Sequence, residues 1–218
     1  MRTSATSGAR FAVYLIPPYH VARRVAEVHR LLLKQFGFIA AGRFQVHATI
    51  KGFFKKVQGP LEPLVLRLDR AFAAQRPFTI HFCGLRIDEV GIGLDISKLE
   101  GGLNPSMMAL RQRVVEAVRP FIAPDCDFSD KDLSTPFRAH ITLAFRDIPR
   151  PLYQDVLAYL AEAPLPSEPF TADTFHFLEF LSRDWPADWH RTLTWRLLKA
   201  WRVSERGDAA TAAQTATA

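Results

Sequence analysis

Apolar residues along this chain recur at spacings typical of alternating strands and helices. Short apolar or alternating runs predict strands at 11–16, 44–54, 78–88, 92–96, 137–145, 170–181 and 192–201. Apolar residues three and four positions apart predict helices at 20–36, 61–74, 103–122 and 151–162. Gly37 is expected to end the first helix, and Asn104 with Pro105 to begin the third. The pattern therefore indicates an α+β fold.

The predicted elements also occur in a repeated order. A helix, a strand carrying His-x-Thr, a second helix and a two-strand unit occur once and then again. Pro77-Phe78-Thr79 begins 30 residues after His47 (77 − 47), and Pro169-Phe170-Thr171 begins 29 residues after His140 (169 − 140). We therefore expect two pseudo-symmetric lobes of antiparallel sheet, with helices on the outside, facing each other across a groove.

The two lobes are expected to form one domain over residues 11–203. Residues 1–10 are expected to form a disordered leader. Residues 204–218 lack large apolar side chains and predict a disordered tail.

Two short motifs supply the candidate chemistry. His47-Ala48-Thr49-Ile50 recurs as His140-Ile141-Thr142-Leu143, each within a predicted strand. Since residues i and i+2 of a strand share a face, each motif presents an imidazole and a hydroxyl to one side and two apolar side chains to the other. One imidazole could remove a proton while the other, protonated, donates one, and the hydroxyls could bind phosphate oxygens.

A third match, His190-Arg191-Thr192, lacks the apolar residue after the histidine and follows a turn. It is interpreted as background. A strand histidine bonded to a neighbouring carbonyl would explain His47 or His140 taken singly, so the functional hypothesis depends on the pair.

On these motifs the chain resembles the 2H phosphoesterase superfamily, whose members carry two H-x-[T/S]-x motifs. It looks most like the bacterial branch of 2′,5′ RNA ligases and cyclic nucleotide phosphodiesterases, over roughly residues 11–200. The resemblance implies a bilobal α+β fold and metal-independent hydrolysis of 2′,3′-cyclic phosphates or 2′,5′ linkages. His47, Thr49, His140 and Thr142 would be the catalytic residues.

The chain departs from the family at two cationic positions. Family members often carry Arg after the first motif, where Lys51 stands, and Arg two residues after the second motif, where Phe145 stands with Arg146 next. If both strands stay regular, Lys51 is in phase with His47 and Arg146 with His140, and either could bind phosphate.

Three further residues are candidates for substrate binding. Arg138 lies two residues before His140 and should face the groove, where it would contact phosphate or else be solvated. Phe53 and Tyr14 could stack on a base, although core packing is the alternative for both.

Composition narrows the functional class further. The formal charge of +6 (28 Lys and Arg against 22 Asp and Glu) favours anionic partners. Neither Cys83, expected to pack as a small hydrophobe, nor Cys126 lies in a C-x-x-C pattern, which favours a reducing, cytoplasmic setting. No apolar run approaches the length of a membrane span.

The sequence thus predicts a phosphodiesterase that uses no metal and no cofactor. Its partner is expected to be a nucleotide or an RNA end carrying a phosphodiester, with no membrane partner and with a monomer favoured as the oligomeric state. Two alternatives stay open: a nucleotide- or RNA-binding module without turnover, and 2′,5′ RNA ligase-type activity. A metal phosphoesterase is disfavoured because no H-x-H, H-D or HExxH cluster occurs.

Overall fold

A computed structural model describes residues 8–126, 137–183, 185 and 188–205. These residues contain four α-helices, namely α1 Tyr19–Phe36, α2 Glu62–Ala73, α3 Pro105–Val118 and α4 Tyr153–Ala161. Short 3-10 helices cover Ala41–Arg43, Arg119–Phe121, Arg150–Leu152 and Trp189–Arg191. Across the described ranges, none of the helices has the length and apolar character needed to cross a bilayer.

Eleven strands accompany the helices in the same ranges. They are β1 Arg10–Ile16, β2 Ala48–Phe54, β3 Phe78–Ile80, β4 Leu85–Asp88, β5 Gly91–Asp95, β6 Lys98–Leu99, β7 Gly102–Leu103, β8 His140–Phe145, β9 Phe170–Ala172, β10 Thr174–Leu181 and β11 Thr194–Arg202. Seven of them form one sheet in the order β11-β10-β1-β2-β8-β5-β4, and β3 pairs with β9 and β6 with β7. All pairings between these strands are antiparallel.

The large sheet consists of two lobes that meet at one residue pair. Strands β11, β10, β1 and β2 form the first lobe, and β8, β5 and β4 form the second. Over their described lengths the two motif strands, β2 and β8, pair only at Ala48 and Ile141, the residues that directly follow the two motif histidines. The α+β fold with two antiparallel lobes agrees with the sequence-based prediction.

The two halves exchange their last strands. The unit β1-α1-β2 in the first half of the chain corresponds to β5-α3-β8 in the second half. β10, from the second half, pairs with β1 of the first, and β4, from the first half, pairs in the same way with β5 of the second. Each lobe thus contains strands from both halves of the chain. The repeated Phe-Thr pairs also meet where the two halves come together, at the pseudo-twofold axis that relates them, because Thr79 of β3 lies opposite Thr171 of β9.

Both faces of β1 are buried, and they belong to different apolar clusters. Phe11, Val13 and Leu15 pack into the main core. Ala12 and Tyr14 point to the opposite face, where they join a smaller aromatic cluster. Burial on both faces explains why 11–16 is a continuous apolar run rather than an alternating strand.

Helix boundaries follow the capping signals. α1 ends at Gly37, which adopts φ 79° and donates its N–H to the Leu33 carbonyl, as expected for glycine at this position. α3 begins after Asn104, whose side chain accepts from the N–H groups of Ser106 and Met107.

Several strand predictions are wrong in extent: 170–181 is divided into β9 and β10 at Asp173, and the motif strand expected at 137–145 begins only at His140. The run 78–88 is broken into β3 and β4 around Gly84, which has φ 96°, a conformation that side chains with a Cβ rarely adopt. Cys83 lies in this break and is exposed, so it does not pack as a small hydrophobe, whereas Cys126 is buried. β2 begins only at Ala48, because Ala41–Arg43 is helical and 44–47 is irregular.

The predicted leader (1–10) and tail (204–218) lie partly within the described residues. β1 begins at Arg10, which is buried and therefore belongs to the domain rather than to a leader. Residues 1–7 and 206–218 lie outside the described residues, and their predicted disorder stays a prediction.

Gly91 tests the packing of the second lobe. A Cβ at this position of β5 would collide with the carbonyl oxygen of Ala144 in β8. We expect Gly91→Ala to lower the free energy of unfolding by about 1–3 kcal/mol, the usual cost of overpacking, as measured by urea denaturation. Gly102→Ala is the matched control, because its nearest neighbour, the Leu99 carbonyl oxygen, is 4.0 Å away. Equal stability of the two variants would contradict this account of the lobe.

Candidate active site

The two motif strands border a groove between the lobes. Its cavity has a volume of about 310 Å³. Both motif histidines and both motif threonines line it, together with an aromatic wall comprising Tyr14, Phe44, Phe53, Phe145 and Trp189. The four side chains proposed from the sequence as catalytic therefore share one cavity.

The two imidazoles are held in the same way. His47 Nδ1 is 2.7 Å from the Gln45 carbonyl oxygen, and His140 Nδ1 is 3.1 Å from the Arg138 carbonyl oxygen. A carbonyl only accepts, so Nδ1 carries the hydrogen in both rings. Each Nε2 is then left to accept or donate a proton, which is the requirement for an acid–base pair.

The surroundings of His47 favour its neutral form. Its ring stacks on Tyr14, with centroids 3.6 Å apart and planes 15° apart. Burial, with smaller contributions from the nearby His140 and His29, lowers the pKa of His47 to about 4, against the opposing effect of the bond to Gln45. At neutral pH this imidazole is unprotonated.

His140 has a different electrostatic environment. Its Nδ1 lies 3.8 Å from Asp88 Oδ2, and Asp88 is in turn paired with Arg86. Arg86 Nη1 also donates to the Arg138 carbonyl oxygen, which accepts from His140. His140 therefore has a carboxylate as a neighbour, whereas no carboxylate of the described residues pairs with His47.

A β-bulge follows the first motif and changes which side chains face the groove. Tyr14 lies opposite Thr49, but Val13 lies opposite Lys51, so Ile50 and Lys51 both turn towards the core. Lys51 is fully buried, its Nζ is 3.1 Å from the Gly52 carbonyl oxygen, and it does not line the groove. The expectation that Lys51 shares the face of His47 is wrong because the strand is not regular.

The second motif has the corresponding bulge. Gly93 lies opposite Thr142 but Ile92 lies opposite Ala144, so Leu143 and Ala144 are both buried. Phe145, where the family often carries Arg, consequently faces the groove.

Arg146 also lines the groove, although by a route that the sequence did not predict. It follows the end of β8 with φ 56°, and its guanidinium lies 5.3 Å from the Trp189 ring centroid. Its side chain is exposed, as a phosphate-binding cation requires.

The other predicted binding residues are distributed differently. Arg138 is exposed and lines a neighbouring cavity rather than the groove itself. Tyr14 and Phe53 line the groove, but both are buried in the smaller aromatic cluster, and the face of Tyr14 is covered by His47. The core-packing alternative therefore describes these two residues better than base stacking does.

Several residues of the site were missed by sequence reasoning. His29 of α1 lines the groove, and its Nε2 is 3.0 Å from the Thr142 carbonyl oxygen. Its position, four residues after Val25 in the apolar row of the helix, could have indicated that it faces inward. Asp88 and Trp189 gave no local signal, because they reach the site only through the sheet and the chain fold.

His176 and His190 have structural contacts. His176 Nδ1 is 3.0 Å from Gln45 Oε1, and thus supports the residue whose carbonyl holds His47. His190 is buried in a 3-10 helix and does not line the groove, which agrees with treating the third His-x-Thr as background. Nowhere in the described ranges do three or more His, Cys, Asp or Glu side chains form a group that could hold a metal ion.

Comparisons with known proteins agree with the motif-based resemblance. A family model described as the 2′-5′ RNA ligase superfamily matches residues 17–184. A search of curated proteins found no significant match. The fold resembles a crystal structure of E. coli LigT complexed with ATP, with a TM-score of 0.55 and 16% identity, covering 92% of this chain and 100% of that one.

Two further solved structures share the fold. A protein of Thermus thermophilus matches with a TM-score of 0.59 at 16% identity, over 89% of this chain and 97% of that one. A structure described as a phosphoesterase matches with a TM-score of 0.53 at 16% identity, over 91% and 99%. At such identities these likenesses concern the fold alone. With the family match, they confirm the resemblance to 2H phosphoesterases.

The partly or wholly buried histidines should make stability depend on pH. Burial lowers the pKa of His29, His47, His176 and His190 below the ordinary 6.5. Between about pH 6.5 and 4 the unfolded chain takes up protons that folded His47 does not, so acidification favours unfolding. Urea denaturation should show a loss of about 2 kcal/mol between pH 7.5 and 5 from His47 alone.

His47→Gln should reduce this loss, because glutamine does not titrate. The control is His81→Gln, at an exposed position after β3, which should leave the pH dependence as in the wild type. A pH dependence unchanged by His47→Gln would contradict the burial assigned to the His47 ring.

Proposed function

This chain belongs to the 2′-5′ RNA ligase superfamily, and from that premise we propose that it hydrolyses a nucleotide or RNA phosphodiester, most suitably a 2′,3′-cyclic phosphate, without a metal ion. The observation that carries the proposal is the pair of imidazoles in one cavity, each with Nδ1 bonded to the carbonyl two residues earlier. The nucleotide complex of E. coli LigT accords with a ligand of this class.

His47 is proposed as the general base and His140 as the general acid. His47 Nε2 takes a proton from water as the water oxygen attacks phosphorus. The bond from phosphorus to one ribose oxygen breaks, and His140 donates the proton that this oxygen needs. His47 leaves the cycle protonated and His140 neutral, and proton exchange with solvent restores both.

The difference between the two environments supports this assignment. The lowered pKa of His47 makes it a weaker base than free imidazole, but one that is almost wholly in the basic form at pH 7. Asp88 is an anionic neighbour of His140, the ring to which we assign the role of acid. Thr49 and Thr142 would donate hydrogen bonds to the non-bridging oxygens, with Arg146 as a nearby cation.

Ligation is the second candidate, favoured by the family match. The same two histidines would keep their roles, with a ribose hydroxyl replacing water as the nucleophile that attacks phosphorus. A binding module without turnover is the remaining alternative, and it would give tight cyclic-nucleotide binding with no product.

The central test is hydrolysis of a 2′,3′-cyclic mononucleotide in excess EDTA. We expect His47→Ala and His140→Ala each to lower kcat by about 10²–10⁴-fold, the usual contribution of one acid–base group. His81→Ala, at an exposed position away from the groove, is the matched control. The proposal fails if EDTA abolishes activity or if both groove variants keep full activity.

A substrate with a better leaving group tests the assignment of roles. p-Nitrophenolate departs without being protonated, so a p-nitrophenyl phosphodiester does not need the acid. We expect His140→Ala to lose less than about tenfold in kcat on this ester, and His47→Ala to lose about 10²-fold or more on both substrates. The opposite pattern would exchange the roles, and equal losses would show that neither assignment holds.

A further inference from the structure

A second cavity adjoins the groove on the side of β4 and β8. Its volume is about 370 Å³, and it shares four lining residues with the groove: Thr49, Glu89, Val90 and His140. Its own wall contributes three arginines, Arg86, Arg111 and Arg138. The two cavities therefore meet at the side chains proposed to act on the scissile phosphate.

The three arginines differ in what they already bind. Arg86 is paired with Asp88. Arg111 is buried, its Nη1 donates to the Ile50 carbonyl oxygen at 2.7 Å, and its guanidinium lies 4.2 Å from the centroid of Phe137. These two guanidinium groups hold the walls of the cavity in place.

Arg138 is the arginine that could bind a ligand. Its backbone carbonyl accepts from His140 and Arg86, but within the described ranges its exposed guanidinium makes no hydrogen bond or ion pair. The charges of Arg86 and Asp88 cancel because the two side chains form an ion pair. The remaining charged side chains of this wall are Arg111, Arg138 and the exposed Glu89, so the wall carries one positive charge in excess (2 − 1).

The two cavities have complementary chemistry. The groove has an aromatic wall, whereas the second cavity has guanidinium groups. A nucleic-acid strand likewise combines flat bases, which could contact an aromatic wall, with anionic phosphates, which could pair with guanidinium groups. The Cα atoms of Arg138 and His140, two residues apart, are separated by at most about 7 Å, a length comparable to the step between successive phosphates.

We propose that this second cavity binds the phosphodiester 5′ of the nucleotide that carries the scissile phosphate, through Arg138. The substrate class is then an oligonucleotide end rather than a free cyclic mononucleotide. The inference rests on the proposed function and adds the position of the neighbouring phosphate to it.

The test uses three matched substrates with a 2′,3′-cyclic phosphate: a mononucleotide, a dinucleotide, and the same dinucleotide with an uncharged methylphosphonate at the internal linkage. We expect the charged dinucleotide to exceed both others in kcat/KM by about tenfold, the scale of one charge-assisted hydrogen bond. Arg138→Ala should reduce this ratio to within about twofold of unity, and Arg76→Ala, at an exposed position elsewhere, should preserve it.

Equal kcat/KM for the charged and uncharged dinucleotides would overturn the inference while leaving the proposed function intact. A 5′-phosphorylated cyclic mononucleotide separates the two sources of phosphate. A gain with it as large as that with the dinucleotide would overturn the assignment to oligonucleotide ends.

The preference for a charged internal linkage can also be measured by binding, without turnover. Dissociation constants of the charged and uncharged dinucleotides, measured by fluorescence anisotropy on His47→Ala, should differ by about tenfold, and Arg138→Ala in that background should remove the difference. Absence of hydrolysis with every substrate would defeat the proposed function, while this binding ratio would still decide the inference.

Discussion

The site depends on one point of pairing between the two lobes. Ala48 and Ile141 pair across the pseudo-twofold axis, and each directly follows a motif histidine. Both strands are described along their whole length and pair at no other residue, so the groove opens where β2 and β8 separate. Because both strands enter this pair in the same way, the two imidazoles approach one cavity from opposite lobes.

Symmetry of the backbone coexists with asymmetry of the surroundings. Both rings donate Nδ1–H to the carbonyl two residues earlier, and both strands bulge three and four residues after the histidine. Yet Tyr14 covers His47, while Asp88 lies beside His140. A duplicated scaffold thus provides matched geometry, and unmatched neighbours give the two rings different electrostatic surroundings, on which the proposed division of roles rests.

Much of the fold could be predicted because it follows from local signals. Apolar spacing indicated the helices α1 to α4, and Gly37 and Asn104 marked helix ends. The recurrence of Pro-Phe-Thr indicated the repeat, and its two copies pair with each other at Thr79 and Thr171. The break in 78–88 was missed because a glycine within an apolar run does not reveal its φ. The exchange of strands between lobes was missed because it is a long-range pairing that leaves no local pattern.

The sequence by itself determined the two His-x-Thr motifs and their twofold relationship, since these depend on residue type and spacing. Tertiary structure alone decided that Lys51 is buried while Phe145 and Arg146 face the groove, because a bulge reverses the alternation on which phase arguments rely. It also decided that Asp88, His29 and Trp189 join the site. Their positions are fixed by sheet order and helix packing, which residue spacing does not encode.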